Sequence, residues 1–174
     1  MQNRDKTYSI KLTVHPAVAK WIDSNFPNID NVYELRDTSH YIIFQSALFR
    51  KNIKPPSKPL KKTENYVPIR IFINEWDFYH FGWDIPNFAQ IKISKLLFDL
   101  MMLRFCELIA DAYAFGKIPR DVTIRRILVE NLFEDDQMNY FYIRKYYQRK
   151  FQDTKKEQQI IDFANYTIEN VTQI

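Results

Sequence analysis

Glycine is almost missing from this chain, with only Gly82 and Gly116 in 174 residues. That leaves no glycine-rich loop to cradle a nucleotide phosphate, and it excludes the motifs built on one. Cysteine is scarcer still: Cys106 stands alone in an apolar helical stretch. It cannot form an internal disulfide, and it reads as a small core hydrophobe in a reducing compartment. The three histidines, His15, His40 and His80, have no spacing that sets two on one helical face, and Cys106 has no partner motif. A clustered metal site and a bound cofactor are therefore not expected. Long apolar runs are lacking too. Ile93 to Phe115 is broken by Lys95, Asp99, Arg104, Glu107 and Asp111, and MQNRDKTYSIKLTV has no apolar signal core. A membrane role is not expected, and the chain reads as soluble and cytoplasmic.

Charge of one sign is not in great excess either: the net value is +4. That balance permits a polyanionic partner without demanding one, so distribution matters more than the total. What the chain does have is apolar and aromatic mass, 46% and 16% of residues, which is ample for a packed core. The length allows one domain or two small units packed together.

Tyr8, Ile10, Leu12 and Val14 alternate with Ser9, Lys11 and Thr13, the period of a half-buried strand. Pro16 suits the first turn of a helix running to about Phe26, with Val18, Trp21 and Ile22 as its apolar face. Asn28 to Asp37 reads as a connector with a short extended piece near Val32 to Leu35. Thr38 or Ser39 can cap a second helix to about Lys51. RKNIKPPSKPLKKTEN follows, with three prolines and six cations before Glu64, and reads as a semi-extended basic linker.

The pattern then restarts. Val67, Ile69, Ile71 and Ile73 alternate with Pro68, Arg70, Phe72 and Asn74, giving a second strand. Glu75 to Phe81 forms one or two helical turns, and Pro86–Asn87 opens a long helix to about Phe115. Its stripe runs through Ile93, Leu96, Leu97, Leu100, Met101, Phe105, Leu108, Ile109 and Ala112, and Gly116 ends it. Helices from Asp121 (a candidate cap), Asn139 and Lys155 complete the chain. The expectation is an α+β fold, mostly helical, with two short strands as an antiparallel ribbon and about six to seven helices. The boundaries are a β-α-α unit over 1–52, a basic linker over 53–65, a second unit over 66–116 and a helical extension over 117–174.

One β-α-α unit is too small to enclose a core, and two can solve this by pairing their strands over four helices. YSIKLTVHPAVAKWI with SHYIIFQSALFRK, and VPIRIFINEW with QIKISKLLFDLM, resemble the ribbon-helix-helix DNA-binding family of the Met and Arc repressors, here as a tandem pseudo-dimer in one chain. The resemblance implies a ribbon in the major groove of double-stranded DNA, with Ser9, Lys11, Thr13, Arg70 and Asn74 reading bases. It also implies phosphate held at the second-helix starts, Thr38, Ser39 and Asn87. Three departures stand out: a long connector over 28–37, a stunted first helix in the second unit, and Phe72 at a reader position. The plainer reading is an ordinary α+β domain with Lys11 and Arg70 merely solvated.

NYFYIRKYYQRKFQ interleaves Arg144, Lys145, Arg149 and Lys150 with tyrosines. It could be the reading helix of a helix-turn-helix, but Ile143, Tyr147 and Phe151 also form a core stripe, which is the favoured reading. Lys58, Lys61 and Lys62 in the linker either contact phosphate or are solvated. The carboxylate pairs Glu75/Asp77 and Asp135/Asp136 lack a neighbouring base, nucleophile or ligand set, so no enzyme is expected. Trp76, Phe78, Tyr79, Phe81 and Trp83 could stack bases or dock a protein; sealing the strand–helix junction is favoured. The function expected is DNA binding, in transcription or as a DNA-processing accessory. The alternative is a non-enzymatic interaction or structural protein of a virus or mobile element, with a homo-oligomer or protein partner meeting its aromatic surface.

Overall fold

Alternation decides the first structural feature. In the computed structural model, which describes residues 8–35, 65–81, 85, 87–134 and 138–171, the two alternating segments are the strands β1 (Tyr8–Val14) and β4 (Val67–Ile73). They pair antiparallel with Lys11 opposite Arg70 and Ile10 opposite Ile71. Opposed residues share a face, so Ile10, Leu12 and Val14 line up with Ile69, Ile71 and Ile73, all buried. The predicted second helix with Thr38 and Ser39, and the linker with Lys58, Lys61 and Lys62, lie outside the described residues.

The remaining elements are α1 (Pro16–Asn25), β2 (Asn28–Ile29), β3 (Val32–Tyr33), α2 (Glu75–Phe81), α3 (Asn87–Gly116), α4 (Arg120–Glu130), α5 (Tyr140–Lys150) and α6 (Lys155–Val171). The fold is α+β and dominated by helices, with a helical C-terminal part. It divides into two compact units, Met1–Phe98 and Asp99–Ile174, and the division falls inside α3.

The connector over 28–37 departs from expectation. Asn28–Ile29 and Val32–Tyr33 form a small hairpin, and β3 pairs parallel with β4, so the ribbon becomes a mixed four-stranded sheet ordered β1-β4-β3-β2. Asp30 and Asn31 both have positive φ, 53° and 62°, the backbone a tight two-residue hairpin turn requires. Two-residue strands carry no readable period, so the hairpin was not expected, although β3 falls within the extended piece expected near Val32 to Leu35.

Below the sheet in the first unit, α1 buries Ala17, Val18, Trp21 and Ile22, and Tyr33 Oη donates to Asp23 at 3.0 Å. His15 caps α1: its Nδ1 accepts from Ala17 N–H at 3.2 Å. β1 is an edge strand, and α3 occupies that edge. Gln90 Oε1 accepts from Thr13 N–H at 2.9 Å, and Ser94 Oγ accepts from His15 N–H at 3.0 Å. These bonds satisfy donors that would otherwise template pairing with another chain.

In the second unit Met101, Phe105, Ile109, Met102, Cys106 and Ala110 of α3 are buried with Ile124, Ile127, Ile143, Tyr147 and Phe151. Each such side chain removed from water contributes about 1.5–3 kcal/mol. The buried rows of α3 are i, i+4 rows; Leu96 and Leu108, placed in the stripe by sequence, are partly exposed. One helix end follows expectation and another does not. Gly116 is the last residue of α3, and the left-handed residue after it is Lys117, at φ 51°. Asp121 does not cap α4; Pro119 occupies that position with no side-chain bond.

Candidate nucleic-acid interface

Parity places Ser9, Lys11 and Thr13 with Pro68, Arg70 and Phe72 on the outer face of the β1–β4 pair. Lys11 and Arg70 are directly opposed and both exposed, and neither is ion-paired among the described residues. Like charges at opposed positions lie about 5 Å apart at Cβ and destabilise a sheet. Register extends this row across the sheet: Val32 pairs with Arg70, and Ile29 with Val32. Among the described residues of that row, none is acidic.

Of the other expected readers, Ser9 and Thr13 keep the outer face, and Asn74 lies beyond the strand. Asn74 follows β4, and its Oδ1 accepts from Asp77 N–H at 2.7 Å, so it caps α2. Strand end and helix start coincide there, and the cap claims the amide. Phe72 is buried despite its outward parity, while Ser9 and Thr13 are half-buried. Asn87 is the first residue of α3; its side chain lies outside the described set. The Arg70 row is four strands wide, about 14 Å from the spacing of strands. A B-DNA major groove is about 12 Å wide, slightly narrower than that row.

The α2 aromatics differ in exposure, and Trp83 lies outside the described residues. Trp76 and Tyr79 are 51% and 68% exposed, and His80 stacks on Trp76 with ring centroids 3.9 Å apart. Tyr8 Oη meets both Glu75 and Tyr79 at 3.2 Å.

In the second unit, Asn139 starts α5 by accepting Tyr142 N–H at 2.9 Å. Ile143, Tyr147 and Phe151 are its buried stripe, as the spacing predicts. Arg144, Lys145, Arg149 and Lys150 are all exposed. Phe141, Lys145 and Arg149 form one i, i+4, i+8 row, with Phe141 74% exposed. The connector over 131–139 is longer than the roughly three- or four-residue turn of a helix-turn-helix. Burial, then the nearby Asp99 carboxylate, raises the Tyr142 and Tyr146 hydroxyls above their ordinary value and keeps them neutral.

One arrangement escaped sequence reading. Glu157, 2% exposed, accepts from Arg120 Nη2 at 3.0 Å and from Tyr147 Oη, while Arg120 Nε donates to Tyr147 Oη at 3.2 Å. Arg120 also lies over the Tyr113 ring at 3.8 Å. Burial alone would lower the Arg120 guanidinium, but its bonds to Tyr147 and Glu157 outweigh that and raise it. Burial and the Glu157 bond raise Tyr147 well above the tyrosine range. A signal existed: Thr154-Lys155-Lys156-Glu157 has capping-box spacing. Thr154 Oγ1 accepts Glu157 N–H at 3.3 Å, and Glu157 Oε2 accepts Asp153 N–H at 2.6 Å.

Among the described residues no group of three or more His, Cys, Asp or Glu could hold a metal, and no helix is long and apolar enough to cross a membrane. Comparison with protein families, curated proteins and solved structures found no match to this chain.

Proposed function

We propose that this protein binds double-stranded DNA, chiefly through its phosphate backbone. The observation that carries the reading is the Lys11–Arg70 pair, two exposed cations forced face to face by register. A polyanion laid across them relieves a repulsion that the free sheet must tolerate. Arg144, Lys145, Arg149 and Lys150 supply a second exposed basic face, with Phe141 among them. The antiparallel β1–β4 pairing supports a ribbon-helix-helix likeness, and the parallel β3 weighs against groove insertion. Backbone contact, with any base reading left to Ser9, Lys11, Thr13 and Arg70, suits the wider sheet. On this reading the chain has no catalytic role.

The test is fluorescence anisotropy on duplex DNA across a salt series, with Lys11→Glu and Arg70→Glu beside the parent. Affinity should fall steeply with salt, and each variant should flatten the log–log slope by about 1 or more. Absence of binding at low salt would end the reading; parent-like slopes in both variants would remove the sheet from it.

A second reading is favoured by one patch in the second unit. Phe115 and Phe163 meet edge to face at 6.2 Å and remain 42% and 64% exposed, with Tyr166 at 67%. Such aromatic surface suits a protein partner or a second copy. Sizing chromatography of the parent and Phe163→Ser decides it: a larger species lost in the variant supports assembly.

A further inference from the structure

Within the second unit, an open cavity of about 350 Å³ lies between the start of α4 and the exposed side of α5. Its lining includes Tyr113, Arg120, Asp121, Arg144, Gln148 and Gln152. Four of these six carry N–H donors. Arg120 is held in place by Glu157, Tyr147 and the Tyr113 ring, and its Nη1 has no hydrogen bond among the described residues. Arg144 is only loosely paired, its Nε 3.9 Å from Asp121 Oδ1. The side-chain amides of Gln148 and Gln152 hold no hydrogen bond among the described residues.

We propose that this cavity binds a phosphate group, with Arg144 and the Arg120 Nη1 edge as charged donors and Gln148 and Gln152 as neutral ones. Several features favour an oxyanion. The donors come from α4, α5 and the turn after α5, and Asp121 stands 3.9 Å from Arg144, far enough that a phosphate oxygen can become the closer partner of the guanidinium. Arg120 is already ordered, so little freedom is lost when it accepts a second partner. Tyr113 and the neighbouring Ile124 give the cavity an apolar wall that could pack against whatever bears the phosphate. The volume suits a phosphate or a small phosphate ester. The site goes beyond DNA binding and shares only Arg144 with that reading.

Inorganic phosphate is the probe, titrated into the full chain and followed by calorimetry. Saturable binding is expected. Arg144→Gln, on an exposed position that the core does not need, should weaken it roughly tenfold, as losing a charge-assisted bond does. Asp121→Asn, which removes the competing carboxylate, should tighten it. Failure to saturate, or an affinity unchanged in both variants, overturns the site whatever DNA binding shows. Adding duplex DNA to the phosphate-loaded protein separates two sources of the group. Mutual displacement assigns the cavity to a backbone phosphate, and simultaneous binding assigns it to a free phosphorylated small molecule.

Discussion

His15 shows how one residue type can serve a position that sequence patterns assign to others. Asn, Asp, Ser and Thr lead at helix starts. Here an imidazole Nδ1 accepts the α1 donor, which it can do only while unprotonated. Burial lowers His15 below its ordinary value of 6.5. The unfolded chain therefore takes up the proton first, and stability must fall as pH drops from about 6.5 through the lower folded value. Urea midpoints of the parent should fall over that window relative to those of His15→Asn, which keeps a cap but does not titrate. Equal pH profiles would show that the cap does not depend on the imidazole. Leu132 is a second residue out of place. It ends α4 at φ 52°, with its N–H bonded to Val129 and the Phe133 N–H bonded to Leu128. That reciprocal pair is the helix ending that glycine usually fills. Leu132 is 67% exposed, so Leu132→Gly removes strain without opening the core. After offsetting glycine's looser unfolded state, a net gain of about 0.5–1 kcal/mol is expected from chemical denaturation.

Among the elements, β1 and β4 were legible because seven residues of alternation, broken only at Phe72 in β4, fix which face is buried, and with it the outward parity of Lys11 and Arg70. Their direct opposition needed the register. β2 was not legible, since Asn28–Ile29 is too short to show a period, and β3 was legible only as the short extended piece near Val32 to Leu35. Strand parity and helix capping make competing claims on the Asn74 amide, and its Oδ1 serves the cap. Lys11→Glu tests sheet and function together. Opposite charges across a strand pair contribute about 0.2–1 kcal/mol, so the variant should melt slightly higher than the parent. The same change should weaken DNA binding. A variant that is both less stable and weaker in binding would point to damage to the sheet and not to lost contacts.

At the scale of the whole molecule, helix content and the buried stripe of α5 follow from composition and spacing, and the polar network of the second unit does not. Arg120 and Glu157 lie 37 residues apart, and nothing in either helix alone says that they meet. Removing Glu157 would leave an arginine that is partly able to reach water, so the network's net worth is moderated by solvent.

Cys106, one side chain of that second core, offers a clock. It is the chain's sole thiol, it is 1% exposed, and burial followed by the Glu107 charge pushes it up to about 12. A thiol so placed is nearly all protonated at neutral pH and out of reach of a reagent, so labelling must wait for the core to open. The rate of reaction with an aromatic disulfide, measured against denaturant, then times those openings in the intact chain. Slow labelling that accelerates steeply with urea means the second unit opens as a whole. Fast labelling that ignores urea means the helices part locally around Cys106.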